Sequence, residues 1–345
     1  MHSIDPKNNF DHIRLFLALA VFFFHTAELT QLSNFLFFKE FISASVAVHS
    51  FFIVSGFLIF MSYERSSSLK SYFEKRFRRI GPAYVTVVIL AFIILSLFSF
   101  LPLLEYYTSI ESWKYLLANL STLGFLHPSL SGVFTENYIT AVNGALWTIK
   151  VEIMFYLFVP LIAFMYHWWG ITKTLIIVFI FSVFYYYSMA YLAQYYHKPF
   201  FIILQRQLPG QMMFFSAGAL LYYHYKAFLK NKYFIFILAL IGYIGSKYYT
   251  IYPLYALSLS IIVIYLATAI VYLGHIAKYG DLSYGIYIWH FPVIQTFIAI
   301  GLFNSNPWFT LGLLSVTVLL LSWLSWHFIE KPFLSKKSHY IKENK

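Results

Sequence analysis

The sequence predicts an all-α integral membrane protein with about ten transmembrane helices and with its N- and C-termini in the cytoplasm. The first observation behind this prediction is composition. Of the 345 residues, 60% are hydrophobic and 11% are charged, and the mean hydropathy is +0.70. Soluble domains carry about 25% charged residues. The second observation is that apolar stretches of about 20 residues, long enough to cross a bilayer core, recur along the chain. Lipid therefore surrounds most of the chain.

The apolar stretches form a single predicted transmembrane domain over residues 1–345, without a Pro-, Gly- or Ser-rich linker. The largest predicted outer segment, 102–143, is rich in aromatic and polar residues and contains a predicted interfacial helix at 111–120. The predicted spans lie near 11–31, 41–62, 80–101, 144–166, 171–193, 207–225, 231–249, 253–273, 283–301 and 308–330.

The third observation is the distribution of positive charge. The formal net charge is +11, with 24 Lys and Arg against 13 Asp and Glu. Most of these cations fall in the predicted segments on the side of the N-terminus, above all in 64–79 and from Lys331 onward. Short cytoplasmic loops carry such an excess, so the bias places both termini in the cytoplasm. It also accounts for the positive charge without a nucleic-acid partner.

The sequence contains no cysteine, which excludes disulfides, thiolate metal sites and acyl-cysteine intermediates. Its His, Asp and Glu residues do not show the spacing of helical metal sites of the HExxH type. We therefore expect neither zinc chemistry nor another metal site.

Two ionisable residues bound the apolar stretch RLFLALAVFFFH in the first predicted span. Arg14 and His25 are 11 residues apart, which is about 16 Å along a helix and nearly the same face. Arg14 either extends to lipid phosphates at the inner surface or belongs to a site. His25 lies about 20 Å from the inner end, so it faces the protein interior, either as a bridge between helices or as a functional residue. Glu28, one turn later, shares this face and either orients the imidazole or meets the outer interface.

Two further ionisable residues are expected near the depth of His25 in other predicted spans. His49 in the second span and Glu152 in the fourth lie about 12 Å below the outer surface. A carboxylate inside the membrane is costly, so Glu152 must face the interior beside a partner or water. The alternative for Glu152 is a structural pair with Lys150 or Tyr156.

Basic residues at the predicted cytoplasmic side indicate an anion site. Arg76 and Arg79 share one helix face at i, i+3, and the Gly-Pro pair at 81–82 predicts the start of the third span. Guanidinium groups beside a helix N-terminus bind phosphates well. The alternative is ordinary positive-inside topology. His290 and Glu330, in aromatic segments near the inner half, are assigned to packing or to the interface.

Arg14-x10-His25 and Arg76-x-x-Arg79 resemble the R-x10-H and RxxR motifs of the membrane-bound acyltransferase type 3 family, whose bacterial members O-acylate surface glycans. The resemblance covers nearly the whole chain. His49 stands where many members carry an aspartate, so no role of that aspartate is carried over to it. Four more stretches of this sequence resemble other motifs of the family: FFIVSGFLI at 51–59, LWTIKVEIMFYLFVPL at 146–161, SYGIYIWHFPV at 283–293 and FIEKPF at 328–333.

The resemblance implies an O-acyltransferase that moves an acyl group, usually acetyl, from cytoplasmic acyl-CoA to a sugar hydroxyl. The implied acceptor is an envelope or capsular polysaccharide, or its lipid-linked precursor, at the inner (plasma) membrane of a bacterium. Donor, glycan and lipid bilayer are the implied partners, and a homo-oligomer is left open. The residues implied to bind the phosphates of acetyl-CoA are Arg14, Arg76 and Arg79.

His25 is the implied catalytic residue, either as the base for the acceptor hydroxyl or as a brief carrier of the acyl group. Both roles need a neutral imidazole, which burial favours. Glu152 or Glu28 is expected to fix its tautomer. The separation of Arg14 from His25 leaves room for the pantetheine arm of CoA. The aromatic residues of 102–143 are expected to hold the glycan by stacking.

Two other functions fit the same residues. A transporter or flippase for a glycolipid would use buried charges to relay protons or to bind a sugar phosphate. Matched pairs of broken helices in two halves of the sequence would favour it, and the sequence does not show them. An acyltransferase acting on a lipid or small molecule would share the donor site, and the outer segment does not distinguish these acceptors.

Overall fold

The computed structural model describes residue 5 and residues 7–335, apart from the side chains of Ala277 and Tyr279. These described residues form α-helices with short 3-10 and π turns between them, and they contain no strand. The predicted all-α architecture is confirmed. The two chain ends lie outside the described residues, so their cytoplasmic location stays a prediction.

Each of the ten predicted spans overlaps one long helix. Among the described residues, six helices are long and apolar enough to cross a membrane, namely those that begin at Phe10, Ala44, Leu69, Leu146, Ile171 and Pro307. The chain is therefore a multi-pass membrane protein. The number of ten spans stays a prediction. The α-helices are α1 (Phe10–Thr30), α2 (Leu36–Phe41), α3 (Ala44–Glu64), α4 (Leu69–Ile94), α5 (Leu103–Thr108), α6 (Ile110–Leu120), α7 (Leu146–Trp169), α8 (Ile171–Tyr196), α9 (Phe200–Gln205), α10 (Leu208–Tyr223), α11 (Tyr225–Lys230), α12 (Lys232–Tyr249), α13 (Tyr252–Thr268), α14 (Leu282–Ala299), α15 (Pro307–Leu324) and α16 (Lys331–Phe333).

The chain folds as two compact units, and the single domain over 1–345 stays a prediction. In unit 1, α10 packs against α8 and α13. A Cβ atom at Gly56 would lie 1.9 Å from the backbone oxygen of Phe215, so this glycine lets α3 approach α10 closely. In unit 2, α14 packs against α15. Unit 1 comprises the described parts of Met1–Ile13, Val48–Phe73 and Val151–His275, and unit 2 those of Arg14–Ala47, Glu74–Lys150 and Ile276–Lys345.

Helix α4 begins at Leu69, so the prediction that a helix starts at the Gly81-Pro82 pair is wrong. Ser68 caps α4, because its hydroxyl accepts a hydrogen bond from the Ser71 N–H at 3.1 Å. Pro82 lies inside the helix. A proline disfavours helical backbone in the residue before it through a clash with that residue's Cβ, and Gly81 has no Cβ. The region around residue 81 therefore offers no helix N-terminus to an anion.

Helix α13 ends at Thr268, short of the predicted end of its span at 273. The following backbone pairs with the side chain of Asn9 instead of continuing the helix. The Leu273 N–H donates to Asn9 Oδ1 at 2.9 Å, and Asn9 Nδ2 donates to the Val271 carbonyl at 3.1 Å. The side chain thus replaces the helical partners that this backbone would otherwise need.

The segment between α4 and α7 folds back along α4 in unit 2. In α5, the Tyr106 hydroxyl donates to the Phe92 carbonyl near the end of α4 at 2.8 Å. The Tyr84 hydroxyl, which lies about 12 Å earlier along α4, donates to the Asn119 carbonyl in α6 at 2.8 Å. The helix predicted at 111–120 is present as α6, and it runs back along α4.

A proline inside α7 leaves one backbone carbonyl without its helical N–H. Pro160 has no N–H to donate to the carbonyl of Tyr156, four residues earlier. The hydroxyl of the buried Tyr72 donates to that oxygen at 3.1 Å. The proline therefore creates a requirement that a tertiary contact within unit 1 satisfies.

We expect Tyr72→Phe to lower the free energy of unfolding by about 1–3 kcal/mol, because it leaves a buried carbonyl without a donor. Pro160→Ala restores the backbone N–H, so the same Tyr72→Phe change costs much less in a Pro160→Ala background. The measurement is thermal unfolding of the four purified proteins in one detergent. An equal cost in both backgrounds would contradict this account of the contact.

Candidate functional site

Helices α1 and α14 lie side by side in unit 2 and are joined at two levels. At the first level, Arg14 Nη1 donates to Asp281 Oδ2 at 2.9 Å. At the second, His25 Nδ1 lies 2.8 Å from His290 Nε2. The contacts occur in the same chain order on both helices, so the helices run parallel. Arg14 and His25 are separated by about 16 Å along α1, and Asp281 and His290 by about 13 Å along α14. The long side chain of Arg14 accounts for the difference between these two lengths.

Four charged side chains form the ion-pair cluster of the first level: Arg14, Arg79, Asp281 and Glu330. The carboxylate of Asp281 accepts from both Arg14 and Arg79. Arg79 Nη1 also lies 3.2 Å from Glu330 Oε2. Only 4% of the Asp281 side chain and 1% of the Glu330 side chain are exposed. Buried charges are costly unless they are paired, so these residues depend on one another.

Local sequence places the two carboxylates of this cluster. Asp281 is the N-cap of α14 and accepts hydrogen bonds from the N–H of Ser283, at 3.1 Å, and from its hydroxyl. Burial would raise the pKa of Asp281, but the two arginines and these hydrogen bonds hold that pKa well below its usual range. Glu330 ends a π-helical turn that begins at Ser325, whose hydroxyl donates to it at 3.0 Å. Such turns often occur at functional sites.

Arg76 lies on α4 one turn before Arg79 and shares its face, as predicted. Together with Arg14 these residues supply three cations against the carboxylates of Asp281 and Glu330, so the five residues carry a net positive charge. The sequence predicts a phosphate site built directly from the three arginines. The structure instead shows Arg14 and Arg79 bound to carboxylates, and their role toward a phosphate stays a prediction.

Hydrogen bonds decide where the protons of the histidine pair lie. His290 Nδ1 is 2.9 Å from the carbonyl oxygen of Ile286, and a carbonyl only accepts, so Nδ1 carries a hydrogen. A neutral His290 then accepts at Nε2 from His25 Nδ1. A neutral His25 is left with its lone pair on Nε2, the atom with which it can act as a base.

Glu28 lies beside this nitrogen of His25, as their one-turn spacing predicts. Its Oε2 atom is 3.9 Å from His25 Nε2, and 36% of the Glu28 side chain is exposed. The attraction between opposite charges favours an imidazolium next to a carboxylate. Glu28 is therefore placed to stabilise His25 once Nε2 has taken a proton.

Glu152 and His49 belong to unit 1, whereas His25 belongs to unit 2. Within unit 1, the Tyr156 hydroxyl donates to Glu152 Oε1 at 2.6 Å, which is one of the two structural pairs considered for this carboxylate. His49 stacks on Phe214 with ring centroids 3.9 Å apart. The shared depth of these residues with His25, and a catalytic role for Glu152, stay predictions.

Three residues of the site are missed by the sequence motifs. The motifs do not single out Asp281, and the sequence analysis assigns His290 and Glu330 to packing or to the interface. The structure shows which polar partners these two residues have, because His290 bonds to His25 and Glu330 to Arg79. A signal was present, since an ionisable side chain in an apolar segment needs a polar partner. The sequence does not show which partner it finds.

Residues 7–327 match a protein family described as an acyltransferase domain. The chain is 27% identical to nodulation protein 10 of Rhizobium leguminosarum bv. viciae, over 99% of this chain and 96% of that protein. It is 30% identical to a protein named O-acetyl transferase from Shigella phage Sf6, over 96% of this chain and 97% of that protein. No solved structure matches the chain. The similarities cover both units.

We expect Asp281→Asn to lower the free energy of unfolding by about 3–5 kcal/mol, because it removes the buried charge that holds two largely buried guanidinium groups. The matched control is Ser283→Ala, which keeps the ion pairs and removes one hydrogen bond to the carboxylate, at a cost of about 1–2 kcal/mol. The measurement is thermal unfolding of the purified proteins.

The same comparison has an expected pH dependence. Because the pKa of Asp281 is lowered, its stabilisation is complete above the usual aspartate pKa of about 4 and is lost as the pH falls through the lowered pKa. Glu330 is a second titratable carboxyl paired with Arg79, so the comparison is made in a Glu330→Gln background. In that background, the difference in unfolding free energy caused by Asp281→Asn is expected to stay constant from about pH 8 to about pH 5. A difference that shrinks within this range would contradict the assignment.

Proposed function

The chain belongs to the membrane-bound acyltransferase type 3 family, and we propose that it transfers an acetyl group from cytoplasmic acetyl-CoA to a sugar hydroxyl. The proposed acceptor is an envelope or capsular polysaccharide, or its lipid-linked precursor, at the inner (plasma) membrane of a bacterium. The relative named O-acetyl transferase supports acetyl as the transferred group. Membership of an acyltransferase family favours acyl transfer over the transporter alternative.

The observation that carries the proposal is the hydrogen-bonded chain from Ile286 through His290 to His25. It leaves the Nε2 lone pair of His25 to take the proton of the acceptor hydroxyl. The acceptor oxygen then bonds to the acyl carbon of the thioester, and the carbon–sulfur bond breaks. The departing thiolate takes the proton from His25, which restores the neutral imidazole. Glu28 stabilises the imidazolium between these two proton transfers.

We assign the phosphates of CoA to Arg76 together with the arginines of the ion-pair cluster. Arg76 shares a face of α4 with Arg79, so its guanidinium group can act at the same surface as the two arginines of the cluster. Asp281 then acts by holding these two arginines in place. The pantetheine arm can cover the distance of about 16 Å from Arg14 to His25, so the thioester reaches the base while the phosphates stay at the cluster.

The parallel course of α1 and α14 agrees with the proposed ten-span arrangement, and the distribution of positive charge supports cytoplasmic termini. In that arrangement α1 and α14 are the first and ninth spans, so both begin at the cytoplasmic side. Arg79, near the start of the third span, and Glu330, at the end of the tenth, then fall at this same side, where acetyl-CoA is available. Glu152 is retained as a proposed second catalytic carboxylate on the sequence argument of its depth.

We expect His25→Ala to abolish O-acetylation while the protein still inserts, because its base is gone. His290→Gln keeps an acceptor oxygen for His25 Nδ1 and is expected to retain part of the activity, whereas His290→Leu loses about 100-fold or more. His224→Ala, at an exposed histidine of unit 1, is the control. The measurement is NMR of the surface polysaccharide from cells carrying each variant, with cells lacking the gene as the baseline.

Normal O-acetylation in cells with His25→Ala would overturn the catalytic role of this histidine. Equal activity of His290→Gln and His290→Leu would show that the hydrogen bond to His25 Nδ1 does not matter. O-acetyl signals that are unchanged without the gene would exclude the polysaccharide as acceptor and would favour a lipid or small molecule.

We expect Arg76→Ala to weaken CoA binding by about tenfold, because it removes one charged contact to phosphate. Arg14→Ala acts in the same direction but also breaks the ion pair with Asp281, so Arg76→Ala is the cleaner variant. Arg65→Ala, at an exposed arginine of the same predicted cytoplasmic segment, 64–79, is the control. Calorimetric titration of the purified proteins with CoA measures the effect. Unchanged affinity in both site variants would refute the phosphate assignment.

A further inference from the structure

Unit 2 contains a cavity of about 190 Å³ to which the reaction above assigns no role. A cavity needs only about 10–15 Å³ to hold one water molecule, so this cavity has room for a much larger group. Its wall is formed by α4, α6, the segment after α6 and the start of α7. The lining residues that matter here are Phe125, Asn143, Gly144, Trp147 and Lys150.

Much of the cavity wall is non-helical backbone, and the segment that forms it is hydrogen-bonded to α14. The segment 121–145 contains no helix. Pro292 removes the helical donor to the Ile288 carbonyl, and Asn143 Nδ2 donates to that oxygen at 2.9 Å. The buried Gln295 side chain donates to backbone carbonyls of the same segment. Irregular backbone inside a membrane is tolerated where it is buried in protein or lines a water-filled cavity.

The cavity lies close to the histidine pair. Gly144 lines it, and a Cβ atom at this position would be 2.7 Å from the ring of Phe291. The Phe291 ring packs edge-to-face against His25, with ring centroids 5.3 Å apart. A single ring, that of Phe291, therefore separates the cavity wall at Gly144 from the proposed base.

Two kinds of side chain determine the chemistry of the cavity. Trp147 and Phe125 are aromatic residues of the kind that stack on sugar rings. Lys150 is the one charged residue among the described residues of the lining, and its Nζ atom lies 4.0 Å from the centroid of the Phe125 ring. This cation–π contact holds the ammonium group at the wall. The described lining therefore carries one positive charge, which favours an anionic group.

We propose that this cavity holds the sugar ring that receives the acyl group, and that Lys150 selects an acceptor carrying a carboxylate or a phosphate. The inference rests on the proposed function, because it treats His25 as the base for this acceptor. An anionic group bound at Lys150 fixes the ring, so that a neighbouring hydroxyl is presented toward Phe291 and His25. A neutral sugar lacks this charge pair with Lys150 and therefore binds more weakly.

The test is the binding of monosaccharide probes to the purified full chain in lipid nanodiscs, followed by saturation-transfer NMR. The probes are glucuronic acid as a carboxylate, glucose 6-phosphate as a phosphate, and glucose as the neutral reference. We expect at least one anionic probe to bind about tenfold or more tightly than glucose. Lys150→Met removes this preference, and Lys150→Arg keeps it. Lys114→Met is the matched control, because Lys114 is paired with Glu111 and does not line the cavity.

Equal binding of the three sugars, binding by none of them, or a preference that survives Lys150→Met would overturn the proposal. Lys150→Gln replaces Lys150→Met if thermal unfolding shows that the latter does not fold. Binding is also measured in His25→Ala, where no acetyl transfer is expected. A charge preference that persists in His25→Ala supports the cavity independently of catalysis. Acetyl transfer by the wild-type protein, measured separately with acetyl-CoA, shows whether the proposed function itself fails.

Discussion

The rest of the site in unit 2 depends on the ion pairs that the carboxylate of Asp281 makes with Arg14 and Arg79. This carboxylate binds α1 through Arg14 and α4 through Arg79, and it caps the first turn of α14. Arg79 extends the cluster to Glu330, at the end of the π turn that follows α15. Because buried charges of this kind are stable only in combination, these four helical segments have to meet at one end.

From that junction, helix geometry determines where the chemistry can occur. Helix α1 is continuous from Phe10 to Thr30, and α14 runs parallel to it, so the second contact between them follows about 16 Å along α1. That contact, between His25 and His290, sets a tautomer because the Ile286 carbonyl can only accept. Helices α1 and α14 thereby hold the ion-pair cluster and the proposed base, His25, at a fixed distance from each other.

Prolines inside helices specify tertiary contacts in both units. In unit 1, Tyr72 donates to the carbonyl that Pro160 leaves without an N–H, and in unit 2 Asn143 does the same for Pro292. The membrane interior provides no water for these carbonyls, so a side chain has to come from elsewhere in the protein. In unit 2 this requirement also fixes one wall of the cavity beside the histidine pair.

The sequence by itself determined the membrane class, the all-α architecture and the common face of Arg14 and His25, because hydrophobic length and helical periodicity are local properties. The Gly81-Pro82 pair was misleading about the start of α4, because a glycine before proline has no Cβ to clash and the helix continues through the pair. Only the tertiary structure decided which buried polar groups meet. Arg14 and Asp281 are 267 residues apart in the chain, and contacts between distant helices depend on packing and charge pairing, which leave no periodic pattern in the sequence.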